Sequence, residues 1–102
     1  MEKLFYEYPA GAPAAARVLT GVVGSGDLEV LLEPGPAGFS TVAVNTSIDG
    51  MKDVWSALLK RIFTPQQLPA VQIEINDFGA TPGVVRLRIE QAFEALGPNH
   101  RQ

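Results

Sequence analysis

Hydrophobic and polar residues alternate in several short stretches of the chain, a pattern typical of β-strands with one face against a core. In the stretch at residues 28–33, Leu28, Val30 and Leu32 would share one face, and Glu29 and Glu33 the other. Prolines and glycines separate the stretches, as expected of turns and loops. The pattern predicts five strands, at residues 4–8, 17–23, 28–33, 41–46 and 71–76.

A helical period replaces the alternation after residue 49, where apolar residues recur at every third or fourth position. This predicts an amphipathic helix that Ser47 or Asp49 caps and Pro65 ends. Its apolar stripe comprises Met51, Val54, Trp55, Leu58, Leu59, Ile62 and Phe63.

A second helix is expected near the end of the chain, with Thr81 as its cap, Pro82 in its first turn, and Gly97 and Pro98 closing it. Residues 97–102 would then form a flexible tail. The apolar face of this helix comprises Val85, Ile89, Ala92, Phe93 and Leu96.

The predicted order of elements is ββββαβα. This order indicates an α+β fold, in which two helices pack on one face of a largely antiparallel five-stranded sheet and bury both helical stripes. Hydrophobic residues make up 46% of the 102 residues and charged residues 19%. That composition can bury a core, so we expect one domain spanning residues 1–102.

Composition also narrows the possible functions. The net charge is −3 and no basic run is present, which argues against a nucleic-acid partner. No apolar run approaches the roughly 18 residues that span a bilayer, so we expect a cytoplasmic protein without a membrane partner. The chain has no cysteine and one histidine, His100, near its end. A thiolate metal site is excluded, and a self-contained serine hydrolase is disfavoured because no base is expected beside a serine.

Ser25 lies between two glycines in the segment GVVGSGDLEVLLEPG, residues 21–35. Gly24, Gly26 and Asp27 suit a tight hairpin loop between two strands, and such a loop alone accounts for the composition. The same glycines would also leave the Ser25 hydroxyl clear of bulky neighbours, as a modifying enzyme requires of its acceptor. The residues themselves leave both interpretations open.

Other charged residues are candidates for metal, catalytic or docking sites. Asp27, Glu29, Glu33 and Asp77 lack the spacing of metal ligands, so no metal site is expected. Nor is a catalytic residue assigned. On the second helix, Arg86, Arg88 and Glu90 fit a solvated face, although either arginine could dock an acidic partner.

Two separated blocks, GVVGSGDLEVLLEPG and INDFGATPGVVRLRIEQAFEAL, resemble the acyl carrier, or delta subunit, family of malonate decarboxylase. The resemblance implies that Ser25 carries 2'-(5''-phosphoribosyl)-3'-dephospho-coenzyme A through a phosphodiester. It also implies that the thiol of this group holds acetyl and malonyl thioesters while malonate is converted to acetate and CO2. The chain itself would be non-catalytic.

The same resemblance implies partners: an acyl-transferase subunit, carboxy-lyase subunits and a prosthetic-group transferase. The segment DFGATPG, residues 77–83, could help to dock the carrier or could simply begin the last helix. Fatty-acid carriers are four-helix bundles with an Asp-Ser-Leu acceptor, and this chain is not expected to share their fold. The alternatives are a citrate-lyase-type carrier and an unmodified module that bridges subunits.

Overall fold

The computed structural model describes residues 1–21, 26–65 and 67–96. Within them the elements follow the predicted order of four strands, a helix, a strand and a helix. Their bounds are β1 Glu2–Pro9, β2 Val18–Gly21, β3 Leu28–Pro34, β4 Phe39–Thr46, α1 Lys52–Phe63, β5 Val71–Asp77 and α2 Pro82–Glu94.

The strands form a single five-stranded sheet in the order β1-β4-β5-β3-β2. Three pairs are antiparallel, namely β1 with β4, β5 with β3, and β3 with β2. The central pair of β4 and β5 is parallel, and α1 connects these two strands. A parallel pair needs such a crossover because a short turn cannot return the chain to the same end of the sheet.

Alternation along the strands places the core on one face of the sheet. Leu28, Val30 and Leu32 of β3 are fully buried, whereas Glu29 and Glu33 remain partly exposed. The same alternation holds in β4 and β5, and the buried residues of both helices join this core. The predicted α+β class, with both helices on one face of a largely antiparallel sheet, is confirmed.

The first helix begins later than expected. Its N-cap is Met51, which makes no side-chain capping hydrogen bond, so the predicted cap at Ser47 or Asp49 is wrong. Gly50 has a φ of 80°, and this left-handed residue turns the chain after Asp49 before the helix can start. Of the predicted stripe, Val54 is exposed, and the buried members are Trp55, Leu59, Ile62 and Phe63.

The second helix begins as predicted. The Thr81 hydroxyl accepts a hydrogen bond from the Val84 amide at 3.3 Å, and Pro82 occupies the first helical position, where its missing N–H is not needed. The predicted closure by Gly97 and Pro98, and the tail at 97–102, lie outside the described residues. Neither α1 nor α2 is long and apolar enough to cross a membrane, and no other helix occurs in the described ranges.

Candidate functional site

The Ser25 segment connects two paired strands. Strands β2 and β3 are antiparallel, with Gly21 opposite Glu29 at their common end. Residues 22–27, which we call the acceptor loop, connect these two strands, so the predicted hairpin pairing is present. The predicted end of the first strand, at Val22 and Val23, lies outside the described residues. Ser25 and Gly24 lie outside the described residues.

Gly26 is the part of the predicted presentation site that the structure describes. Its φ is 77°, a left-handed conformation that glycine adopts at little cost. A Cβ built at Gly26 would meet no atom of the described residues within 4 Å, its chain neighbours aside, so those residues leave this side of the backbone open. The position next to Ser25 in the chain is therefore unobstructed.

The DFGATPG segment lies directly beside the acceptor loop. The Gly26 amide donates to the Phe78 carbonyl at 2.8 Å, and the Phe78 amide donates to the Asp27 carbonyl at 2.9 Å. These bonds continue the antiparallel pairing of β3 with β5 beyond the pair formed by Leu28 and Asp77. The structure thus brings together the two sequence blocks that carried the resemblance.

Asp77 organises the turn that follows β5. Its side chain is buried, with Oδ1 accepting from the Ala80 amide at 2.9 Å and Oδ2 accepting from the Thr46 hydroxyl at 2.8 Å. Both carboxylate oxygens are therefore occupied by neighbouring donors. Asp77, one of the candidate acids in the sequence, therefore stabilises the local structure and does not have the surroundings of a metal ligand.

Asp27 makes an ion pair with Arg88 of α2. Arg88 Nη2 lies 2.8 Å from Asp27 Oδ2 and Arg88 Nε lies 3.2 Å from Asp27 Oδ1, which is bidentate geometry. The Leu28 amide also donates to Asp27 Oδ1 at 2.7 Å. The hydrogen bond from Arg88 and then that from Leu28 hold the pKa of Asp27 below its ordinary value of 3.8.

The remaining charged candidates stay apart. Glu29 accepts from the Asn76 side chain at 3.1 Å, and Glu33 lies 3.6 Å from Arg17. Within residues 1–21, 26–65 and 67–96, no group of three acidic or histidine side chains could hold a metal ion. On α2, Arg86 pairs with Glu90 at 3.2 Å on an exposed surface, as the spacing suggested, and His100 lies outside the described residues.

An apolar cavity of about 220 Å³ opens between the start of α1 and the DFGATPG segment. Among the described lining residues the single acid is Asp77, whose side-chain oxygens already accept hydrogen bonds from Ala80 and Thr46. The lining comprises Ile48, Met51, Val54, Trp55, Leu58, Asp77, Gly79, Ala80, Pro82 and Val85. The described side chains around it therefore offer an apolar surface and no pair of groups suited to acid and base catalysis.

Sequence reasoning missed the pairing of Asp27 with Arg88 and placed Arg88 on a solvated face. The two residues are separated by 61 positions, and no local spacing links positions so far apart. The nearest signal was the co-occurrence of the two blocks in the family resemblance, which does not say how they meet.

Comparison with known proteins points to the same family as the two sequence blocks. The family model described as malonate decarboxylase delta subunit matches residues 15–96. The chain is 59% identical over 97 residues to the malonate decarboxylase acyl carrier protein of Pseudomonas fluorescens strain SBW25, covering 95% of this chain and 98% of that protein. It is 57% identical over 96 residues to the protein of the same name from Azotobacter vinelandii, covering 94% of this chain and 97% of that one.

Among solved structures, the chain is similar to one in the crystal structure of a Pseudomonas malonate decarboxylase hetero-tetramer in complex with malonate. The TM-score is 0.93 at 57% sequence identity, and the match covers 95% of this chain and all of the other. At this level of identity the likeness extends to sequence as well as to fold.

Proposed function

The chain belongs to the malonate decarboxylase delta subunit family of acyl carrier proteins, and we propose that Ser25 is the residue to which its prosthetic group is attached. The chain is a carrier rather than a catalytic subunit. The position of Ser25 in the acceptor loop, directly before the unobstructed Gly26, is the observation that carries the assignment of the site.

The described flank of the acceptor loop is uncrowded at Gly26, the residue that follows Ser25. A Cβ built at Gly26 would meet no atom of the described residues within 4 Å. The serine hydroxyl is the chemically suitable partner for a phosphodiester. The sequence therefore supplies the linking oxygen, and the described flank of the loop leaves room beside it.

We propose that the group is 2'-(5''-phosphoribosyl)-3'-dephospho-coenzyme A. When attached, it supplies the thiol on which acetyl and malonyl units are carried, and this chain contains no cysteine of its own. The chain's residues provide attachment and position. Gly26 leaves the loop open, while Phe78 and Arg88 hold the C-terminal side of the loop to the rest of the domain.

The proposed partners follow from the carrier role. A carrier has to meet a prosthetic-group transferase once, and then an acyl-transferase subunit and carboxy-lyase subunits in each cycle. Tethering keeps the acyl unit at a high effective concentration near successive active sites, provided that the arm spans them. The family match and the similar chain in a hetero-tetramer support this proposal.

Of the two alternatives, a citrate-lyase-type carrier is disfavoured by 59% identity, over nearly the whole chain, to a malonate decarboxylase carrier. The other alternative, an unmodified bridging module, makes a different prediction for Ser25. A bridging role needs the surface of the chain, whereas a carrier role needs one hydroxyl.

The experiment separates these two roles in the assembled complex. We expect Ser25→Ala to assemble with the other subunits as the wild type does and to abolish turnover of malonate. Ser47→Ala is the matched control, because Ser47 is an exposed serine that follows β4 and lies outside the acceptor loop. Normal turnover in Ser25→Ala complexes would favour the bridging role and contradict the proposal.

A further inference from the structure

One residue of α2 makes hydrogen bonds at both ends of the acceptor loop, to Thr20 of β2 and to Asp27, the last residue of the loop. The Thr20 hydroxyl, near the end of β2, donates to the backbone carbonyl of Arg88 at 3.1 Å. Asp27, just before β3, receives the bidentate guanidinium of Arg88 at 2.8 and 3.2 Å. Arg88 thus connects the two sides of the loop to a single point on the helix.

The ion pair of Asp27 and Arg88 is more enclosed than the other side-chain ion pairs described. The side chains of Arg88 and Asp27 are 25% and 23% exposed, whereas those of Arg86 and Glu90 on the same helix are 57% and 49% exposed. Two long, exposed side chains that pair in water contribute little. A planar guanidinium held on two carboxylate oxygens and partly shielded from water fixes both distance and orientation.

The bond from Thr20 adds a second constraint that is independent of the guanidinium. Because it uses the main-chain carbonyl, substitution of the Arg88 side chain leaves that bond available and releases Asp27 alone. The Asp27 side is further connected to β5 through the backbone bonds of Gly26 and Phe78. Loss of the guanidinium should therefore loosen one end of the loop without unfolding the hairpin.

We propose that Arg88 is a positioning residue, which fixes the separation of the two ends of the acceptor loop so that the Ser25 hydroxyl is presented to the prosthetic-group transferase. This inference rests on the proposed function of Ser25. Arg88 acts through Asp27 and does not itself take part in forming the phosphodiester. Misplacement of a reacting group by about 1 Å can lower a rate by roughly a hundredfold, so a loosened loop should slow attachment.

The test uses the full-length unmodified chain, the transferase and a donor in which the 5''-phosphate of the phosphoribosyl-dephospho-coenzyme A group carries a diphosphate leaving group. The Ser25 oxygen bonds to that phosphorus as the phosphoanhydride bond breaks, and pyrophosphate and the hydroxyl proton are released. Attachment is followed by intact mass. We expect Arg88→Met and the isosteric Asp27→Asn each to reduce kcat/KM for attachment by about tenfold or more. Because the two residues act as one pair, the double variant should be no slower than the slower single variant. Arg88→Lys, which keeps the charge but not the two-pronged geometry, should recover part of the rate.

Two controls separate positioning from general stability. Arg86→Met is the same substitution two positions away, at an arginine whose ion pair is exposed. Its kcat/KM for attachment should stay within about twofold of wild type. Ile89→Val removes one methylene from a fully buried residue of the same helix and should lower stability by about 0.5–1.5 kcal/mol while leaving attachment unchanged.

A second readout needs no transferase. In the unmodified chain, amide hydrogen exchange at Gly26 and Leu28 should be faster in Arg88→Met than in wild type, and unchanged in Arg86→Met, because these amides report on the Asp27 side of the loop.

Three results would overturn the inference: attachment to Arg88→Met within twofold of wild type, an equal slowing in Arg86→Met or Ile89→Val, or unchanged exchange at Gly26 and Leu28. Failure of the wild-type chain to gain any mass would instead contradict the proposed function. The exchange measurement would then still decide whether Arg88 anchors the loop.

Discussion

Gly26 and Phe78 are joined by a backbone hydrogen bond of 2.8 Å from the Gly26 amide to the Phe78 carbonyl. Through this bond the acceptor loop is held beside the DFGATPG segment, although the two lie far apart in the sequence. The relationship explains why the family resemblance rests on two blocks. One block carries Ser25, the proposed acceptor, and the other contains Phe78, to which the end of the loop is hydrogen-bonded.

Gly21, just before the acceptor loop, and Gly26, within it, should respond differently to substitution. Both have positive φ, 93° at Gly21 and 77° at Gly26, but a Cβ at Gly21 would overlap the Leu28 carbonyl, whereas one at Gly26 meets open space. We expect Gly26→Ala to lower the free energy of unfolding by about 1–2 kcal/mol, and Gly21→Ala by about 3 kcal/mol or more. Urea denaturation measures both, and equal losses would show that the crowding at Gly21 is not as described.

Asp77 should be sensitive even to an isosteric change. Asp77→Asn replaces one accepting oxygen with an amide group that faces either the Ala80 amide or the Thr46 hydroxyl. Thr46 Oγ1 also accepts a hydrogen bond from the Ile48 amide, so a change at Asp77 affects more than one hydrogen bond. We therefore expect the free energy of unfolding, measured by thermal denaturation, to fall by about 1–3 kcal/mol. Glu74→Gln is the control, because Glu74 is an exposed acid on the same strand and its change should cost less than about 0.5 kcal/mol. A similar cost for the two variants would contradict this role of Asp77.

Presentation and packing can be separated by comparing Ser25 with Trp55. The Trp55 side chain is buried between α1 and the sheet, so Trp55→Ala should destabilise the domain by about 3–5 kcal/mol. Ser25→Ala, in a loop bounded by glycines, should change stability by less than about 0.5 kcal/mol. Thermal melts of the two variants provide the comparison. A large destabilisation by Ser25→Ala would mean that the serine serves the fold.

The ion pair of Asp27 and Arg88 predicts a specific pH dependence. The pKa of Asp27 lies below its ordinary value of 3.8 in the folded chain. A lowered folded-state pKa stabilises the fold above the unfolded-state pKa, and that contribution is lost as the pH falls through the folded-state pKa. Without the guanidinium, the pKa should move up toward 3.8.

Carbon-detected NMR titration of the Asp27 carboxyl measures this shift directly. The pKa should be higher in Arg88→Met than in wild type, and the stability advantage of wild type over the variant should be constant at neutral pH and shrink below about pH 3.8. The same pKa in both chains would show that Arg88 does not act on Asp27.

Much of the fold follows from local patterns in the sequence. Alternation identified β1, β3, β4 and β5 because each has one face against the core, as Leu28, Val30 and Leu32 show. Strand β2 was predicted within residues 17–23, where the apolar residues do not alternate regularly. The start of α2 was also readable, since Thr81 and Pro82 act within one turn of the helix. These features depend on neighbours in the chain, which a single sequence displays.

The one feature that was wrong is a local turn, whereas the features that were missed depend on distant contacts. The start of α1 is set by the left-handed turn at Gly50 rather than by a capping side chain. Nothing local indicates that β4 and β5 lie side by side in parallel, or that Arg88 reaches Asp27. Those relationships arise only when the sheet is assembled, because assembly determines which positions meet.

The attachment of a prosthetic group to Ser25 is tested most directly by the intact mass of the chain purified from cells that also produce its transferase and the donor. The account predicts a gain in mass equal to the phosphoribosyl-dephospho-coenzyme A group, located in the tryptic peptide 18–52, absent from Ser25→Ala and retained in Ser47→Ala. An unmodified mass in the wild type, or the same gain in Ser25→Ala, would contradict it.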